Sequence, residues 1–404
     1  MRKFRWGAAA AVAAVAGTAA LAAASQVSAS PTAGTIKIGI SLPLSGDLSQ
    51  PGGAAKQGYE IWQQFVNAKG GLLGKKVVLD IKDDQSDQNT IVADYNRLIT
   101  QDKVDLLLGT FSSLLNLPAS AVAEKYHMVY VEPAGGSPKM FSRGFHYLFF
   151  AQEATAPHQA DLFANYLIHL PKSKRPKTAA YVTQTDPFTQ PVIDGVRAKL
   201  QKAGIKTVLY KTYQLDQTDF DPIASTLQSK NPDVVVQGAV FQDGIGLVRA
   251  MQKLNYNPKA LFITSAPSEG SQFSKGIGKA NTQGIFYAVS WGPGSNTPEN
   301  HRFVSTYEQK YHQVPPEDAA DAFATAQVLE AAVKGVGEIN QDKIAAWLHS
   351  HSVNTVEGKL RWDKTGAPQS QFLLAQWQNG KSELVLPTSV ATSKHIIYPK
   401  PNWK

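Results

Sequence analysis

Residues 104–120 read VDLLLGTFSSLLNLPAS. A largely apolar run, Val104 to Leu108, stops at Gly109, and a hydroxyl cluster of Thr110, Ser112 and Ser113 leads into a helical pattern. An apolar run too short for a helix, closed by glycine and followed by helical spacing, is a strand–loop–helix unit. Two adjacent serines at that junction fit three roles: a nucleophile, a cradle for an anionic ligand, or a helix cap. The fold depends on whether the unit recurs.

It recurs along most of the chain. Strand-like runs occupy 36–42 (IKIGISL), 76–82 (KVVLDIK), 104–109 and 128–133 (MVYVEP). Between them, 54–68 and 89–101 place apolar residues at helical spacing, such as Ile61, Phe65 and Ala68, or Val92, Tyr95, Leu98 and Ile99. Such alternation predicts an α/β fold, a parallel sheet covered by helices on both faces. The pattern then restarts, with strand-like runs at 177–184, 207–213, 233–238 and 260–266 and helical stretches at 190–203, 220–229 and 244–254. Two similar halves in tandem predict two lobes of the doubly wound, Rossmann-like type.

From about 292 the pattern is helical and then ends in short strand-like pieces, LRWD and FLLAQWQNGK. This remainder has no βα alternation of its own and is expected to complete both lobes. The expected division is a signal peptide at 1–29, a first lobe of 35–150 with 292–353, a second lobe of 151–291 with 354–390, and a tail of 391–404. The chain then crosses between lobes near 150, 290 and 355.

The start of the chain is a different kind of segment. Arg2, Lys3 and Arg5 precede an alanine-rich run from Gly7 to Ala24, and Val27 and Ala29 supply the small residues a signal peptidase reads. This layout predicts export with cleavage after Ala29. The run is richer in alanine than in leucine or isoleucine, which argues against a permanent span. Lys3 and Phe4 separate Arg2 from Arg5, so the twin-arginine signal is missing. The sequence contains no cysteine, which removes both disulfides and a lipidated cysteine start, and a freely diffusing periplasmic protein is expected. About 375 residues follow the cleavage site, and the formal charge of +8 falls to +5 without the three basic residues of the leader. The one basic run, PKSKRPK at 171–177, lies between a predicted helix and strand and reads as a solvated linker, so no nucleic-acid partner is expected.

Enzyme signatures fail one by one. KGGLLGKK has Lys69 where a phosphate-binding loop needs its first glycine, and Lys76 where it needs serine or threonine. GIGLVR and GIGKAN lack the third glycine of a dinucleotide turn. No G-x-S-x-G elbow occurs, and no histidine pair has helical metal-ligand spacing. DIKDDQSDQN at 80–89 holds four aspartates without the glycine and glutamate of a calcium loop, so Asp83 and Asp84 read as strand-end residues, though one could reach a cleft. Neither cofactor nor metal is called for.

Ligands of open α/β sheets sit beyond the C-terminal ends of the strands. The loops placed there are 43–53, 109–116, 132–138, 184–190, 238–244 and 264–270, rich in serine, threonine, glycine and proline. Phe188, Phe241 and Trp291 offer large apolar walls. Ser112 and Ser113 open a predicted helix whose free N–H groups and dipole attract an anion. Ala134, Gly135, Gly136 and Ser137 let the backbone approach closely. A catalytic serine would need a base, and these loops contain no histidine, so binding without chemistry is favoured.

IKIGISLPLSG, FVNAKGGLLGKKVVLDIKDDQSD, VYVEPAGGSP, DFDPIASTLQSKNPDVVV and LRWDKTGAP, in this order, resemble the branched-chain amino acid type of ABC-transporter solute-binding protein. The resemblance covers nearly all of the chain after residue 35, and NAKGGLLGK and KDDQSD are its most specific parts. It implies a type I periplasmic binding fold, with three crossovers and a cleft that closes on one small solute. It further implies a monomer whose closed form docks on a membrane permease, without enzymatic activity. Ser113 matches the serine that takes the ligand carboxylate, and Asp243 matches the acid that pairs with the ammonium. Gly136 stands at a threonine position, with Ser137 beside it, while Phe188 and Pro51 replace tyrosines. These departures imply a more apolar pocket. An amino acid is the first expectation, an aromatic or other organic acid or an amide the alternative. A ligand sensor, or a hydrolase using Ser112 or Ser113, are the rival classes.

Overall fold

The computed structural model describes residues 34–404; the leader and its cleavage site lie outside the described residues. Strands β1 (Thr35–Leu42), β2 (Lys76–Asp83), β3 (Leu106–Leu108), β4 (Tyr130–Glu132) and β5 (Leu148–Phe150) form one parallel sheet in the order β2-β1-β3-β4-β5. A second sheet contains β6 (Thr178–Gln184), β7 (Lys206–Tyr213), β8 (Val234–Gly238), β9 (Ala260–Ile263) and β10 (Ile285–Val289). Its parallel part runs β7-β6-β8-β9-β10, which repeats the order of the first sheet. The α/β architecture of two doubly wound sheets is therefore the one the alternation of runs predicts.

Both sheets are buried on both faces, which is why their strands read as apolar runs. In β1, Ile36, Ile38, Ile40 and Leu42 share one face and pack with Tyr59, Trp62, Phe65, Phe323 and Leu329. In β3, Leu106 and Leu108 join that core while Leu107 faces the other, with Tyr95, Leu115 and Tyr130. The second sheet repeats the device: Val235 of β8 faces one core, Val234 and Val236 the other.

The helix expected over 54–68 starts earlier, at Ser49, and ends at Ala68. Pro51 falls in its first turn, where the missing N–H has no intrahelical acceptor to lose. Helix Glu317–Val336 is alanine-rich and buried nearly all round, with Glu317 and Asp318 at the positive end of its dipole and Gly337 closing it at φ 80°. It crosses helix Ser49–Ala68 so closely that a Cβ on Gly58 would lie 2.0 Å from the Ala319 carbonyl oxygen. Only glycine fits at that crossing.

Core membership locates the crossings between the sheets. Ala151 packs with the first sheet and Ala154 with the second; Val289 packs with the second and Trp291 with the first. The third crossing falls between Ala367 and Phe372. The segment beginning at 354, expected in the second lobe, packs instead on the first core through Val356, Leu360 and Trp362. Its ribbon of β11 (Val353–Thr355) and β12 (Gly358–Leu360) ends in a turn against β5, where Trp362 Nε1 donates to the Phe150 carbonyl at 2.6 Å. Strands β13 (Leu373–Gln378) and β14 (Lys381–Leu386) then add antiparallel to β10. The last residues run back along the second sheet, where the Trp403 indole donates to the Tyr256 carbonyl at 2.7 Å.

Candidate functional site

In each sheet the strand order reverses between its first and third strands, β1 and β3 in one, β6 and β8 in the other. Connections leave those neighbours in opposite directions, which opens a crevice beyond their C-terminal ends. Loops from both crevices line one cleft of about 660 Å³. That volume lies within the range of about 300–1,000 Å³ typical of small-molecule sites.

From the first sheet, Ser112 lines the cleft with backbone angles φ 73° and ψ 146°. A residue carrying a Cβ is strained there, at a cost of about 1–3 kcal/mol. Its Oγ is buried and has no protein partner. The helix Ser113–Lys125 begins directly after it, and no side chain caps that helix, so the capping reading of these serines fails. Ser113 is fully buried behind the cleft wall, where its Oγ accepts from the Ser137 N–H at 3.0 Å. That bond ties the loop after β3 to the loop after β4.

Ala134 lines the cleft, while Gly135, Gly136 and Ser137 lie behind it. Glu132 organises this loop, a residue the sequence did not single out. Its carboxyl is fully buried and accepts from the Ala134 N–H at 2.9 Å and from the Asn116 amide at 3.1 Å. A Cβ on Gly135 would come within 2.5 Å of Glu132 Oε1, which explains the glycine. Burial pushes the Glu132 carboxyl well above the usual range, against hydrogen bonds from the loop that lower it. Asp83 likewise serves the scaffold, with Oδ1 accepting the N–H groups of Leu44 and Ser45 at 3.0 and 3.1 Å. Asp84 is buried, burial raising its carboxyl to about 7. Neither aspartate lines the cleft, whereas Ser86 does.

From the second sheet come Phe188, Phe241 and Asp243. Asp243 opens helix Gln242–Lys253; its Oδ1 accepts from the N–H groups of Val240 and Phe241 at 3.0 and 3.1 Å. Its Oδ2 accepts from the Tyr213 hydroxyl at 2.7 Å. Burial raises its carboxyl, and these donors oppose the rise. Asp186 caps the helix carrying Phe188, accepting from Phe188 and Thr189 N–H at 2.7 and 2.9 Å. Trp291 does not reach the cleft: its indole donates to Asn300 Oδ1 at 2.6 Å and its ring packs edge-on against Phe303 in the first core.

The first crossover and the turn after it add Gln152 and Gln159 to the lining, and the start of helix Glu317–Val336 adds Glu317, Asp318 and Asp321. No motif marks them in the sequence, because they come from distant segments that meet only where the sheets adjoin. The lining holds seven carboxyl groups, Asp47, Asp186, Asp216, Asp243, Glu317, Asp318 and Asp321, and no lysine, arginine or histidine. None of these carboxyls is hydrogen-bonded to the Ser112 hydroxyl. Among the described residues, no group of three or more histidine, cysteine, aspartate or glutamate side chains is arranged to hold a metal ion, and no helix is long and apolar enough to cross a membrane.

Known proteins agree with this architecture. An amino acid binding protein of Pseudomonas aeruginosa is 27% identical over 345 residues, covering 85% of this chain and 90% of its own. Among solved structures, a branched-chain amino acid transporter substrate-binding protein of Streptococcus pneumoniae, in complex with isoleucine, superposes with a TM-score of 0.77 at 21% identity. It covers 87% of this chain and 99% of its own. An ABC-transporter solute-binding protein of R. palustris in complex with benzoate gives a TM-score of 0.78 at 20% identity, covering 92% and 98%. At such identities the two structures speak for the fold. The family model described as periplasmic binding protein matches residues 35–382, every parallel strand of both sheets and every segment that lines the cleft; the chain belongs to the periplasmic binding protein family.

Proposed function

We propose that the protein is the extracytoplasmic solute-binding component of an ABC importer. In the periplasm it captures a small carboxylated solute, an amino acid in the first place, and as a closed monomer hands it to a permease in the inner membrane. One observation carries the reading: a single cleft lined from both sheets, with the strained and unpartnered Ser112 hydroxyl beside the start of a helix. The first-turn N–H groups of that helix have no intrahelical acceptors, and together with Ser112 they suit a carboxylate. Ser113 and the 134–137 loop hold that wall in place through the Ser137–Ser113 bond. Phe188 and Phe241 enclose the apolar part of the solute, and Asp243 presents a negative edge from the opposite wall. Closure is then a hinge equilibrium biased by a ligand that touches both walls.

Isothermal titration with L-leucine, benzoate and urea tests the reading. Saturable 1:1 binding of the amino acid, with the solute recovered unchanged, is expected. A Ser113→Ala variant should weaken it by loosening the 134–137 loop. Chemical conversion of the solute, or binding of urea or benzoate with no amino acid bound, would overturn the assignment.

A further inference from the structure

The charges of the cleft are one-sided, and they converge at one end. Glu317, Asp318 and Asp321 lie within the first two turns of helix Glu317–Val336 and line the cleft. Glu269, from the second sheet, faces Asp318, and Glu357, from the turn between β11 and β12, faces Asp321. Glu153 adds a further carboxyl beside Glu357. Among the described residues, no basic side chain forms an ion pair with any of these six groups. An uncompensated buried charge is costly, so such a cluster either shares protons or receives a cation.

A second, independent observation points to the cation. Asp321 is 2% exposed; its Oδ2 accepts from the Gln152 amide at 2.6 Å, and its Oδ1 meets no N–H or hydroxyl donor, only the Glu357 carboxyl that faces it. Asp243 differs, since protein donors already engage both its oxygens. Four lining side chains carry an unpartnered buried oxygen, Ser112, Gln159, Gln184 and Asp321. Asp321 is the carboxyl among them, and the two carboxyls nearest it along the helix stand in the same wall.

We propose that the solute is an amino acid of net positive charge, whose side-chain ammonium or guanidinium docks on Asp321 with Glu317 and Asp318. This rests on the reading of the cleft as an amino-acid site with its carboxylate end at Ser112. A neutral amino acid would leave the Asp321 oxygen unmet, and the wall could then ionise only at the cost of an uncompensated buried charge. A cationic one supplies several N–H donors to it and brings the counter-charge that the protein lacks.

The experiment is calorimetric titration of the full protein with charge-matched pairs, L-lysine against L-norleucine and L-arginine against L-citrulline, with 1,4-diaminobutane as a third probe. Each cationic amino acid should bind about tenfold or more tightly than its neutral partner, as expected for charge-assisted hydrogen bonds. In Asp321→Asn, with its melting temperature measured to confirm folding, that preference should fall most of the way to unity. Equal binding of lysine and norleucine by the unaltered protein would overturn the cation subsite and leave the amino-acid reading standing. Binding of diaminobutane without any amino acid would remove the carboxylate end and keep the cation subsite. Failure of all five probes would overturn both.

Discussion

Replacing Ser112 separates two effects that coincide in the native residue. Its φ of 73° with ψ of 146° is a conformation close to glycine-only territory, and its buried hydroxyl has no protein partner. Ser112→Gly removes the hydroxyl and the strain, whereas Ser112→Ala removes only the hydroxyl. Strain of about 1–3 kcal/mol is relieved in the glycine variant. Greater freedom of the unfolded chain offsets about 0.4–1 kcal/mol of that gain. In the absence of solute, the glycine variant should thus exceed the alanine variant in stability by about 1 kcal/mol, or about 1–2 °C in melting temperature for a chain of this size. Both should be at least as stable as the native protein, because each deletes an unsatisfied buried hydroxyl. Binding moves the opposite way. Loss of a hydrogen bond to a carboxylate costs about 1.5–3 kcal/mol, or about 10- to 150-fold in affinity, in both variants alike. Differential scanning calorimetry of the three empty proteins, paired with titration by the tightest-binding amino acid, reads both quantities. An alanine variant as stable as the glycine variant would refute the strain, and native affinity in both would refute the contact.

Two further outcomes follow from the scaffold. Gly58→Ala should destabilise the protein by more than the ~1–3 kcal/mol usual for overpacking, because the new Cβ meets a backbone carbonyl at 2.0 Å and the helices must separate, as urea denaturation would measure. Stability of the empty protein should fall between about pH 5 and 7. Burial raises the carboxyls of Asp84 and Glu153 to about 7 and of Glu317 to about 8, so the folded state keeps protons that the unfolded chain has already lost. Their contribution is complete below the unfolded values near 4 and vanishes as pH rises through the folded ones. Lys400, lowered to about 7 by burial, acts in the opposite sense only above that pH. A melting temperature that rises from pH 5 to 7 would contradict the burial of these acids.

Much of this architecture is legible without coordinates because it is written in local patterns. Short apolar runs such as 36–42 and 104–109 are strands buried on both faces, and their alternation with helical spacing makes a parallel sheet the economical solution. The rule that ligands lie beyond strand C-termini brings Ser112, Ala134, Phe188, Phe241 and Asp243 to one place before any contact is known. Local pattern fails where two elements look alike on either side of a divide. The ribbon at 353–360 is a pair of three-residue strands that could complete either sheet, and only packing of Val356 and Leu360 on the first core decides. Trp291 is large and apolar in a loop, which suits a pocket wall or a core equally, and its bond to Asn300 decides for the core.

The sequence by itself determined the class of fold, the repeat of one strand–helix alternation in two halves, and the loops from which a cleft is built. Tertiary structure decided what those loops do. It withdrew Ser113 behind the wall, left Ser112 strained and unpartnered in front, and assigned Glu132 to hold the next loop. It also assembled Glu317, Asp318 and Asp321 with Glu269 and Glu357, residues as far apart along the chain as 269 and 357. The physical reason is range: strand and helix propensities act over a few residues, whereas the charge of a cleft is a sum over every segment that folding brings to its walls.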